Sequence, residues 1–125
     1  SGTTGSEMID LVMIGGGNMG AALLGGMINS GAFALEQLAV VELREERRVE
    51  LAEMFPGLTV TESIPPCRSA VLAVKPEDVP DAAAAAARAG ATRLLSIAAG
   101  VGIATIEAAA GPNVAVVRCM PNTPA

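Results

Sequence analysis

Short apolar runs and segments of helical period alternate along this chain almost from end to end, and that alternation limits the fold more than any other feature. Ile9 to Ile14 (IDLVMI) reads as a buried strand that stops at glycine. From Asn18, the residues Met19, Leu23, Leu24, Met27 and Ile28 recur at helical spacing until Gly31 ends the pattern. Leu38 to Glu42 (LAVVE) is a second strand, REERRVELAEMF an amphipathic charged helix stopped by Pro56-Gly57, and Leu58 to Thr61 a short third strand. Ala70 to Val74 (AVLAV) is a fourth strand, apolar throughout and so expected to be buried on both faces. An alanine-rich helix follows between Pro76 and Gly90, with Pro80 tolerable only in its first turn. Leu94 to Ile97 makes a fifth strand, Ile103 to Ala110 a helix closed by Gly111-Pro112, and Val114 to Cys119 a sixth strand. Strands that alternate with helices are parallel and joined by right-handed crossovers, which predicts an α/β fold: one open, doubly wound parallel sheet with its ligand site at the carboxyl ends of the strands.

With 125 residues the chain has room for one domain, expected over residues 8–125 behind a leading SGTTGSE (residues 1–7) that reads as a tag remnant or disordered tail. Half of the residues are hydrophobic (51%) but only 2% are aromatic, so the core must be built from Ala, Val, Leu, Ile and Met. A formal net charge of −5 leaves no basic stripe and argues against nucleic acid as a partner. A small anion remains possible, because backbone amides at a helix start bind anions without net positive charge. The absence of histidine excludes a His-based triad and an imidazole-ligated metal. Cys67 and Cys119 lie far apart without metal-like spacing and read as reduced thiols of a cytoplasmic protein, so no metal is expected. No apolar run reaches membrane-spanning length and no secretory cleavage pattern opens the chain, so no membrane partner is expected.

The junction of the first strand and helix carries the chemistry. In IGGGNMG, Gly15, Gly17 and Gly20 fit G-x-G-x-x-G: the first allows the tight turn, the second lets the backbone approach a pyrophosphate, and the third lets the helix pack on the strand. The bare pattern is weak in a chain with 14 glycines, but here a strand precedes it, a helix follows, and Glu42 stands 22 positions after Gly20 at the end of the second strand. That is the Rossmann-like arrangement for a dinucleotide, in which the acid accepts hydrogen bonds from the adenosine ribose of NAD and repels the 2′-phosphate of NADP. Arg44, Arg47 and Arg48 follow; any of them can pair with a phosphate, although for Arg47 and Arg48 pairing with glutamates along the helix face is the favoured alternative. The choice between NADPH and NADH therefore stays open. AVKP (Ala73, Val74, Lys75, Pro76) ends the fourth strand on the cofactor side, where a lysine is more often simply solvated. SIAAGV (Ser96 to Val101) offers small residues for close approach of a flat ring. In MPNTP (Met120 to Pro124) two prolines stiffen a loop that presents an amide and a hydroxyl; its alternative is a domain-exit linker.

Taken together and in this order, IGGGNMG, AVKP, SIAAGV and RCMPNTPA (Arg118 to Ala125) resemble the N-terminal NAD(P)-binding domain of pyrroline-5-carboxylate reductases, nearly the whole chain from Ile9 being covered. The resemblance implies hydride transfer from NADPH or NADH to the C=N carbon of the cyclic imine 1-pyrroline-5-carboxylate, giving L-proline. It implies that Gly15, Gly17 and Gly20 surround the pyrophosphate, with Asn18 and Met19 offering amides, and that Glu42 and Arg44 meet the adenosine ribose. Ala73, Val74 and Lys75 would lie along the cofactor. Ala98, Ala99 and Gly100, with Met120, Pro121 and Asn122, would form the floor near the nicotinamide. The family continues into a helical dimerisation domain that carries the substrate site, so no catalytic residue is expected in this chain. The fragment alone is expected to be inactive, and the whole protein a homo-oligomer through that domain. Two other readings stand beside it: a related imine or β-hydroxyacid dehydrogenase, against which MPNTPA argues, and a non-catalytic NAD(P)-sensing domain that regulates a partner.

Overall fold

A computed structural model of the chain describes residues 8–119, so the expected tail and the MPNTP segment lie outside the described residues. Six strands, β1 (Ile9–Ile14), β2 (Leu38–Val41), β3 (Thr59–Thr61), β4 (Cys67–Leu72), β5 (Arg93–Ser96) and β6 (Ala115–Arg118), form one sheet in the order β3-β2-β1-β4-β5-β6. Every neighbouring pair is parallel. Four helices join them: α1 (Asn18–Asn29), α2 (Glu45–Met54), α3 (Val79–Arg88) and α4 (Ile103–Ala110). The strand order reverses between β1 and β4, so the chain winds outward in both directions from that seam, the doubly wound arrangement that the alternation predicts.

Alternate side chains along the central strands separate into two cores. Val12, Ile14, Ala39, Val41, Ala70 and Leu72 pack on one face with Val79, Ala83 and Ala86 of α3 and Ile106 of α4. Met13, Leu38, Val40 and Val71 pack on the other with Ala21 and Leu24 of α1 and Leu51 of α2. Two covered faces explain why these strands carry no polar alternation. Buried alanines let α3 lie close on the sheet and beside α4, which accounts for the alanine run without disorder. Pro80 occupies the first turn of α3, where its missing N–H has no partner to lose.

The structure moves several boundaries. The fourth strand is Cys67–Leu72 and not Ala70 to Val74. Its first half combines buried Cys67 with exposed Arg68 and partly buried Ser69, while Ala73 and Val74 lie past its end. The segment after Pro76 is a 3-10 turn (Pro76–Asp78) leading into α3 rather than one continuous helix. A second 3-10 turn, Leu35–Gln37, precedes β2 with no forecast in the sequence, held by Gln37 Nε2 donating to Asp10 Oδ2 at 2.7 Å. Among the described residues no helix is long and apolar enough to cross a membrane.

Candidate functional site

At the carboxyl end of β1 the glycine turn is fastened on both sides. Gly15 N donates to Val41 O at 2.9 Å and Ala73 N donates to Ile14 O at 2.8 Å, so the turn rises between the ends of β2 and β4. Gly15 has φ +107°, and a Cβ there would lie 2.4 Å from Ala73 O. At Gly20 a Cβ would lie 2.3 Å from Gly15 O, so only glycine lets α1 close onto the turn. Gly17 differs: it is the residue preceding α1, its backbone is extended, and nothing lies within 4 Å of where its Cβ would be. It brings no side chain to the first amides of the helix, which leaves them available to an outside acceptor.

Glu42 stands just past β2 with its side chain only 10% exposed. Oε1 accepts from Gly16 N at 3.1 Å; Oε2 accepts from Arg44 N at 3.0 Å and Arg44 Nε at 3.3 Å. Burial raises the carboxyl pKa, but the two backbone donors and the Arg44 guanidinium outweigh it and hold Glu42 below its ordinary value of 4.5. A carboxylate whose pKa is lower folded than unfolded contributes stability that is complete above pH 4.5 and disappears as the pH falls through the folded value. Glu42→Gln, which keeps the shape but only one of the two acceptor oxygens and removes the titrating group, is therefore expected to flatten part of the acid limb of stability measured by urea unfolding below pH 4.5. An unchanged limb would show that Glu42 is not linked to folding.

The neighbouring arginines divide their tasks. Arg48 Nη1 donates to Glu42 O and Leu43 O, each at 2.9 Å, and its Nη2 lies 3.7 Å from Glu62. Arg47 Nη1 pairs with Glu50 at 2.9 Å, the glutamate pairing favoured from the sequence, and its Nε donates to Gly16 O at 2.6 Å, which the sequence did not suggest. Arg44 remains exposed at the mouth of the site.

A cavity of about 990 Å³ opens along the seam, within the size range of small-molecule sites. Gly15, Gly17, Glu42, Arg44, Ala73, Val74 and Lys75 all line it. Asn18, Met19 and Gly20 do not: the first two are exposed on the opening turn of α1, and Gly20 is buried beneath it. Ala98, Ala99 and Gly100 also lie outside this lining; Ala98 packs into the core, while Ala99 and Gly100 are exposed. Met120, Pro121 and Asn122 lie outside the described residues. The sequence reading missed two parts of the wall, Glu62, Ser63 and Ile64 after β3 and Asp78, Asp81, Ala82 and Ala85 around the start of α3. Neither carries a motif; only the strand order, which sets the ends of β3 and β4 around the same crevice, points to them. Among the described residues no group of three or more acidic or cysteine side chains is placed to hold a metal.

Known proteins agree with this architecture. The chain is 36% identical to a pyrroline-5-carboxylate reductase of Mycobacterium leprae over 96% of its own length and 44% of the relative's. It is 38% identical to one of Pseudomonas aeruginosa over 92% and 44%. The chain thus spans less than half the length of these curated relatives. A solved pyrroline-5-carboxylate reductase from Coxiella burnetii superposes with a TM-score of 0.80 at 27% identity, over 94% of this chain and 45% of that one. A pyrroline carboxylate reductase from Plasmodium falciparum, solved with NADP bound, gives 0.73 at 26% over 93% and 43%. Residues 10–100 match the family described as NADP oxidoreductase, coenzyme F420-dependent, and the chain belongs to that family.

Proposed function

We propose that this chain is the NADPH- or NADH-binding half of a pyrroline-5-carboxylate reductase, which reduces the cyclic imine to L-proline in the cytoplasm. One observation carries the reading: the crevice between β1 and β4 is walled by a glycine turn left open at Gly17, in a chain similar over more than nine-tenths of its length to reductases of that name. The diphosphate lies over Gly15 and Gly17 and meets the free amides at the start of α1, at Asn18 and Met19, with Gly20 closing the helix onto the turn. Glu42 and Arg44 face the adenosine ribose. Ala73, Val74 and Lys75 run along the dinucleotide, and Ala98, Ala99 and Gly100 with Met120, Pro121 and Asn122 border the nicotinamide. The bound dinucleotide supplies the hydride for the imine carbon. This chain's residues hold and orient it, and the apolar walls at Ile14, Val41 and Val74 keep water from it. The imine's carboxylate and nitrogen are met by a helical dimerisation domain outside these residues, through which the whole protein is a homo-oligomer.

Titrating NADH and NADPH separately into the chain by calorimetry tests the cofactor half of the proposal. Saturable binding of at least one is expected; failure of both overturns it. Proline formation from the imine tests where the substrate site lies, with turnover by the 125-residue chain expected at background. Robust turnover would place the substrate site within this chain.

A further inference from the structure

The peptide groups on either side of Gly16 are gripped from outside the turn. Glu42 takes the Gly16 N–H at 3.1 Å, and Arg47, in the first turn of α2, takes the Gly16 carbonyl on its Nε at 2.6 Å. Arg47 is itself held: its side chain is 15% exposed and its Nη1 is paired to Glu50 at 2.9 Å. In a planar trans peptide the carbonyl of one residue and the N–H of the next point in opposite directions. Drawing the Gly16 carbonyl toward α2 therefore aims the Gly17 N–H away from α2. Three successive glycines have no side chains to fix those planes, so their orientation must come from elsewhere. With Arg47 removed, the Gly16–Gly17 peptide is free to turn over and present a carbonyl oxygen where an amide hydrogen stood, which repels an anion.

We propose that Arg47 is a positioning residue for diphosphate binding, orienting the Gly16–Gly17 peptide without touching the ligand. The inference rests on the nucleotide site proposed above. It assigns to Arg47 a local hydrogen-bonding role and not one of charge, since a lysine in its place keeps the positive charge but has no planar Nε–H with a second N–H beside it.

The test compares Arg47→Lys and Arg47→Ala with the unchanged chain, using ADP-ribose, NADH and adenosine as probes and the thermal midpoint as a check on folding. In both variants ADP-ribose and NADH affinity is expected to fall about tenfold, the scale of one lost orienting hydrogen bond, while adenosine, which has no diphosphate, binds as before. Three results overturn the proposal: undiminished ADP-ribose affinity in Arg47→Ala, full recovery in Arg47→Lys, which would reduce the effect to charge, or adenosine affinity falling in step with ADP-ribose, which would reduce it to general loosening. If the unchanged chain binds neither NADH nor ADP-ribose, the nucleotide reading itself fails, a result distinct from any difference between variants. Should Arg47→Ala not fold, Arg47→Lys alone decides the outcome.

Discussion

Gly20→Ala is expected to destabilise the fold by about 3 kcal/mol, lowering the thermal midpoint by roughly 10 °C, because its methyl group would sit 2.3 Å from Gly15 O and backbone must move to admit it. Gly17→Ala is expected to do the reverse. Its backbone suits any residue and its Cβ meets nothing, so stability should change by no more than about 1 kcal/mol, the cost of a poorer helix cap. In the proposed site its methyl would nevertheless project toward the diphosphate, and NADH affinity should drop about tenfold or more. Calorimetry and thermal melts of the two variants separate the glycine that packs from the glycine that binds. A Gly20→Ala chain as stable as the original would contradict the contact of α1 with the turn. Undiminished NADH binding by Gly17→Ala would remove Gly17 from the ligand site.

Leu51→Ala should damage the fold from outside the turn. Leu51 is fully buried in the core between α2 and the sheet, and its truncation is expected to cost about 3 kcal/mol in urea unfolding. It also sets the size allowed at Gly16, where a Cβ would lie 2.5 Å from Leu51 Cδ1 and 3.3 Å from Glu42. Gly16→Ala alone should destabilise by about 1–3 kcal/mol. In the double variant the Leu51 contact is gone and only the 3.3 Å approach to Glu42 remains, so the two costs should fall short of additivity by about 1 kcal/mol. Strict additivity would mean that the side chain does not press on the turn.

Where local pattern and tertiary demand coincide, the sequence was readable. β1 and α4 have the limits that apolar run and helical period assign them, and Gly15 and Gly20 are each held in places that admit no side chain, while Gly17 faces open space. Gly16 escaped notice because its constraint comes from Leu51, 35 positions away, and no spacing rule reports that. Glu42 was legible as an acid at a strand end, but not as the acceptor for Gly16 N. Arg47 sits on a helix face that any composition argument reads as solvated; only the closing of α2 over the turn shows where its Nε goes. The start of β4 was hidden for a simpler reason. Buried Cys67 is separated from the apolar run by exposed Arg68 and partly buried Ser69, which carry no hydrophobic signature, so the run begins only at Ala70.

The seam between β1 and β4 divides the domain into two wings, and the crevice above it is bordered by stretches distant in the chain, around Gly15, Glu42, Ser63, Val74 and the start of α3 at Ala82. A nucleotide lodged there bridges both wings at once, so it cannot stay bound while they part. At a hundredfold excess over its dissociation constant it makes such partings about a hundredfold rarer by mass action. Occupancy would then act as a staple across the molecule's midline, and resistance to proteases would rise with nucleotide concentration in a domain this small.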